Sequence, residues 1–200
     1  MGSRIMHLII AKRIAEKIGI QDEEAFLLGG VAPDAVYPKN KSHFYSGTEE
    51  NYSTTVKFDT FLKKYPERTD YVLGYYTHLI ADYVWIKGFY FGWLKNRMNA
   101  DETFYEQYHG DFRLLNAKLL QYYQIESSIL DEIKLDSIHD IEEVKVDDVK
   151  NFIHYVKGDM DYPQEHLTEE LKVFTLLQII GYLETSIERG VIKLRELGIT

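Results

Sequence analysis

Between Tyr71 and Ile86 every residue is apolar, aromatic or small except two, His78 and Asp82. No proline interrupts the chain between 67 and 162, so nothing there prevents a helix. A helix that is apolar nearly all round has to be buried. This run is short for a membrane span and carries two ionisable groups. The chain must therefore fold by wrapping other elements around it. His78 and Asp82 are four apart, flanked by Tyr75 and Trp85, and project from one helix face. A carboxylate at such a position needs a partner or a cation. The plainest reading of the pair is a buried His–Asp hydrogen bond that holds the core together.

The local signals around this run are helical. Ser3 caps a first helix that runs to Gly19, a residue suited to a left-handed C-terminal position. Asp22 opens a second helix ending at Gly29-Gly30. A long loop follows from Val31 to about Ser53, and long loops are often functional. A third helix fits about Thr54 to Tyr65. Thr69 caps the fourth, which runs to at least Lys87 with a bend at Gly88. A fifth covers about Asp101 to Tyr123, and the last runs from Thr168 to Leu197 with Gly181 and Gly190 inside it. Strand signals are weak, with no Asn-Gly or Asp-Gly hairpin turn. The expectation is an all-α, single-domain multi-helix bundle over residues 1–200, with a buried metal site near the loop 31–53. A chain of 200 residues can bury a core of ordinary size without a staple.

Composition removes several classes. There is no cysteine, hence no disulfide, thiolate zinc site or cysteine nucleophile. Lysine and arginine total 23 against 32 acids, a net charge of −9, with no basic run. No nucleic-acid surface is evident. No secretory signal, myristoylation pattern or transmembrane segment is found, and a cytoplasmic protein is expected. Residues 131–148 hold eight acids, Asp131 and Glu132 among them, against Lys134 and Lys145. They read as a solvated connector with short helices in preference to a calcium or partner site. His139-Asp140, an adjacent His–Asp pair of the kind phosphohydrolases use, falls in that connector and reads as chance. No GxGxxG, Walker loop or GxSxG is present. Tyrosines such as Tyr75, Tyr76, Tyr83 and Tyr90 read as core residues with hydroxyls at its rim.

Three more residues join the pair. His7 shares a helix face with Ala11, Ile14 and Ile18, so it points inward. The long loop carries Asp34 after Pro33, and His43 before Phe44-Tyr45. Singly, an inward His is a core residue, an Asp after Pro a turn residue, and a loop His an exposed one. Together, three imidazoles and two carboxylates suit zinc or another borderline divalent metal. Carboxylates can also bridge two ions, an arrangement used in phosphoester hydrolysis.

The ordered set His7, Pro33-Asp34, His43-Phe44-Tyr45 and Gly74-x3-His78-x3-Asp82 resembles the zinc-dependent phospholipase C family. It is similar, more distantly, to the fungal single-strand nucleases of the same all-helical fold. The resemblance covers roughly the first 90 residues. It implies that Asp34, His43, His78 and Asp82 hold one ion, and that Asp82 bridges to a second held with His7. Asp34 would be the catalytic general base, and metal-activated water would attack phosphorus. Secreted members also use a processed N-terminal Trp as a ligand, whereas this chain starts Met1-Gly2. With Met1 removed, the Gly2 amine would lie near His7. A third ion needs a further His and a His-x3-Glu. His166-x3-Glu170 has that spacing but lies far along the chain and reads as surface. His109 and Asp111, flanking Gly110, are candidates for an additional metal or substrate contact.

The expected function is thus a metal-dependent phosphoester hydrolase with one to three Zn2+ ions, other divalent metals being possible. Its substrate would be a small-molecule or lipid phosphoester. The competing expectation is a non-catalytic helical domain in which a structural metal or a His–Asp network serves stability alone.

Overall fold

The computed structural model describes residues 2–131 and 133–200. Met1, and Glu132 of the acidic stretch, lie outside the described residues. Among these residues the fold is all-α. Its helices are α1 (Arg4–Ile18), α2 (Glu23–Val31), α3 (Phe58–Lys64), α4 (Asp70–Trp85), α5 (Lys95–Ala100), α6 (Phe104–Tyr123), α7 (Val146–Met160) and α8 (Leu176–Glu196).

The caps read from sequence form. The Ser3 side chain accepts from Met6 N, and Gly19 ends α1 with φ +74°. Asp22 accepts from Ala25 N, and Thr69 from Val72 N. These local bonds satisfy amides that a helix start leaves unpaired.

α4 is the central element, lying against α1, α2 and α8. Its Tyr71, Tyr75, Tyr76 and Trp85 are fully buried. Glycines set how closely the helices approach. A Cβ on Gly74 of α4 would stand 2.0 Å from the Phe26 carbonyl oxygen, and one on Gly29 of α2 would stand 2.1 Å from that of Tyr71. The two backbones touch, which no larger residue permits. A Cβ on Gly30 would meet that of Ala11 at 2.6 Å, so α1 closes on α2 in the same way. Gly190 gives α8 similar access to Ile14 of α1. The described hydrophobic core is one continuous cluster over these helices.

Several boundaries differ from the expectation. The second helix continues through Gly29-Gly30 to Val31, because those glycines are contact points and not a stop. A two-stranded hairpin, β1 (Tyr45–Ser46) with β2 (Thr55–Val56), closes the long loop and pairs Tyr45 with Val56. It shortens the third helix, which begins only at Phe58. Beyond Trp85, where a bend at Gly88 was expected, the chain continues through Ile86–Leu94 in wider, π-helical turns into α5. α7 occupies a stretch for which no helix was expected. The last helix starts at Leu176, not Thr168, capped by Thr175.

Candidate metal centre

α1, α2, α4 and the loop after α2 converge on one buried spot. His7 comes from α1, His78 and Asp82 from α4, and Asp34 and His43 from the loop. His7, His43, His78 and Asp82 are at most 1% exposed, and the Asp34 side chain is 7% exposed.

Backbone groups fix the ring orientations. His78 Nδ1 lies 2.8 Å from the Gly30 carbonyl, a bond that the glycine contact of α2 with α4 makes possible. His43 Nδ1 lies 3.1 Å from the Lys39 carbonyl and 2.8 Å from Ser42 Oγ, and that hydroxyl donates to the Pro33 carbonyl. Each Nδ1 therefore carries the proton, and each Nε2 presents a lone pair to the cluster. Those two Nε2 atoms stand 3.4 Å apart.

The remaining separations are similar. His43 Nε2 is 3.4 Å from Asp34 Oδ1 and 3.5 Å from Asp82 Oδ2. His78 Nε2 is 4.0 Å from Asp82 Oδ2. On the other side, His7 Nε2 is 3.5 Å from Asp82 Oδ1, and the His7 and His78 rings stack at 3.7 Å. Among the described residues neither ring nitrogen of His7 has a hydrogen-bond partner.

These distances test whether a metal fits. Two ligands at about 2.05 Å from a tetrahedral zinc stand about 3.4 Å apart. Facing lone pairs at that spacing repel unless a cation lies between them, and the orphaned His7 nitrogens gain a partner in the same way. Two groups of ligand atoms come within 4.8 Å of one another: His7, His78 and Asp82, and Asp34, His43 and His78. The residues fit a divalent metal, with His78 common to both groups.

The electrostatics agree. Burial lowers the His7 imidazole below its ordinary range, although the Asp82 carboxylate pulls it partly back. Burial, helped by the neighbouring His7, lowers His78 further. Both are therefore neutral, as a ligand must be. Burial works to raise the two carboxyls, but the groups around them outweigh it. Asp34 is held well below the carboxylate range by His43, His78 and Lys39, and Asp82 first by the positive charge of the amino terminus and then by His7, His43 and His78.

The structure adds residues that spacing did not single out. The Tyr45 hydroxyl donates to Asp82 Oδ2 at 3.1 Å, and Lys39 Nζ to Asp34 Oδ1 at 2.6 Å. Tyr45 follows His43 by two residues, across Phe44 with φ +52°; that alternation was a usable signal. Nothing local marks Lys39.

His109 and Asp111 are not among the residues brought together. Asp111 is buried, but its oxygens accept from Lys172 N, Val173 N and Phe174 N at 2.8–2.9 Å. It holds the bend before α8 out of the helix, which is why that helix starts late. His109 packs among Tyr105, Tyr108 and Phe112. His166 and Glu170 line, with Asp111, a cleft of about 560 Å³ that contains none of the five cluster residues. Gly2 does lie beside the cluster: a Cβ on it would be 3.6 Å from His7 Nε2.

Fold and site together define an all-helical protein built around a buried histidine–carboxylate centre of metal-binding type. The pattern of the family described as zinc dependent phospholipase C matches residues 6–161, a span that includes all five residues. The chain belongs to that family. Membership supports a metal-dependent, phospholipase-like hydrolase acting on a phosphoester. No curated protein matches the chain, and no solved structure does. No helix among the described residues is long and apolar enough to cross a membrane.

Proposed function

We propose that the chain is a phosphoester hydrolase, folded as one domain, whose His7, Asp34, His43, His78 and Asp82 hold the catalytic metal. The observation that carries the reading is the pair of imidazole lone pairs, His43 and His78 Nε2, facing each other at 3.4 Å. A bound divalent ion supplies Lewis acidity, which activates water and neutralises charge on the phosphoryl oxygens.

The chain's own groups do the rest. Asp82 turns Oδ1 to His7 and Oδ2 to His43 and Tyr45, as a carboxylate shared between two positions must. Gly30 and Lys39 carbonyls keep His78 and His43 in the ligating tautomer. Tyr45 holds Asp82 in place. Asp34 accepts the proton of the attacking water, and its edge is the one that solvent reaches. A structural zinc site is closed by four protein ligands, whereas a catalytic one keeps a position for water. The half-exposed Lys39 over Asp34 marks such an opening.

The test is hydrolysis of a panel of phosphomono- and diesters by the purified protein supplied with zinc, manganese or iron. Turnover that is lost in Asp34→Asn while bound metal is retained is the expected result. No turnover on any ester with any of these metals refutes the reading.

A further inference from the structure

The open edge of the cluster carries an ammonium. Lys39 Nζ bonds Asp34 Oδ1 at 2.6 Å, and its side chain is 43% exposed against 7% for Asp34. The charge of Asp82 also acts on it. An ammonium has no lone pair and cannot be a metal ligand. Beside a carboxylate that would hold a metal, it competes with the ion it adjoins. Such a residue has a use at this position if an anion must be drawn to the same edge.

A second cation stands behind it. Arg4 lies on α1 one turn before His7, near enough for its charge to oppose that of Lys39. Its guanidinium bonds Asp159 at 3.1 Å and lies over Phe152 and Tyr155, 5.2 and 5.9 Å from the ring centres. Aromatic faces of this kind are where a positively charged headgroup would be received. Here they are already covered by Arg4, and Asp159 is engaged by the same side chain. The charges of Lys39 and, behind it, Arg4 make this edge positive.

We infer that Lys39 is the substrate-recognition residue of this site, binding phosphoryl oxygens. The substrate class is then an anionic phosphoester, because the positive charge of Lys39 and Arg4 disfavours a headgroup that carries its own. This rests on the hydrolase reading above. Lys39 leaves Asp34 when phosphate enters; its four-carbon side chain starts from the Lys39–Lys41 turn and can swing to a neighbouring oxygen. The ammonium suits phosphate as a point charge with three donors.

The experiment is calorimetric titration of inorganic phosphate into the full-length, zinc-loaded protein and its Lys39→Met and Lys39→Arg variants, with zinc content measured on each. Loss of one charge-assisted hydrogen bond is expected to weaken phosphate binding about tenfold or more in Lys39→Met, with Lys39→Arg close to the parent and zinc content no lower than the parent's in either variant. In parallel, KM should rise more in Lys39→Met for p-nitrophenyl phosphate, nearly a dianion, than for p-nitrophenylphosphorylcholine, whose phosphoryl group carries one negative charge and whose headgroup is cationic. Unchanged phosphate affinity in Lys39→Met overturns the inference. So does a gain in zinc affinity with phosphate binding unaltered, because Lys39 would then only mask Asp34. If the parent protein takes up no zinc, the hydrolase reading falls, and the same titration on the metal-free protein still decides. Phosphate binding that depends on Lys39 keeps the anion site, and its absence removes it.

Discussion

Replacing Gly74 by alanine adds one methyl group where α2 and α4 touch. That Cβ would sit 2.0 Å from the Phe26 carbonyl oxygen, and ordinary contact begins at 3.4 Å. The helices must part by the difference, 1.4 Å. Backbone cannot yield as a side-chain end can, so the overpacking costs about 3 kcal/mol or more. Alanine returns about 1 kcal/mol through its better helix propensity, leaving a net loss on the order of 2 kcal/mol. The same displacement stretches the 2.8 Å bond from His78 to Gly30 beyond hydrogen-bonding range. An orienting bond of this kind is worth about 10–100-fold in metal affinity. Denaturant unfolding and zinc titration against a competing chelator measure both effects. Gly181→Ala is the control: nothing lies within 4 Å of its Cβ in the middle of α8, so it should stabilise by up to about 1 kcal/mol and leave zinc binding alone. A neutral or stabilising Gly74→Ala would refute the claim that backbone contact between α2 and α4 builds the site.

Asp111→Ala removes the acceptor of three backbone amides and should cost about 3 kcal/mol or more; unfolding curves and zinc content together check that the site is unaffected. Tyr45→Phe removes the bond to Asp82 Oδ2 and should weaken zinc binding about tenfold without shifting the unfolding midpoint of the metal-free protein. Stability of the metal-free protein should fall with pH below the ordinary histidine range. Burial lowers His7 and His78 in the fold, so the unfolded chain takes up protons first, at about 1.4 kcal/mol per pH unit for each imidazole. The Asp34 and Asp82 contributions, from carboxyls held low, are lost only at more acid pH. Unfolding midpoints from neutral to mildly acid pH measure the slope, which should be shallower in His7→Ala.

Local information was legible in the sequence and tertiary information was not. Ser3, Gly19, Asp22 and Thr69 act on amides within a turn or so of themselves, so the helix starts they imply form as read. The nearly uncharged face around His78 and Asp82 likewise requires burial wherever the helix packs. Gly29-Gly30 misled because a glycine that ends a helix and one that admits a neighbour look alike in one dimension. The segment 168–175 has no strong signal against helix; it stays out of the helix because Asp111, some sixty residues earlier, bonds the amides of Lys172, Val173 and Phe174. α7 carries a readable stripe in Val149, Ile153, Val156 and Met160, masked by the acids before it. Lys39 bonds Asp34 only because the loop folds back through the Pro38 turn, which spacing alone does not reveal. The convergence of His7 with the loop and α4 was accessible only as an ordered set of residues, since no short motif in it is specific.

The central claim is that five side chains from three separate parts of the chain hold a metal. Elemental mass spectrometry of protein purified without added metal tests it most directly, with His78→Ala and Asp82→Ala run alongside and folding checked by circular dichroism. The account predicts bound divalent metal, with zinc foremost, in the parent protein and its loss from both folded variants. No metal in the parent even after reconstitution, or equal metal in the variants, would reduce the cluster to a buried polar network.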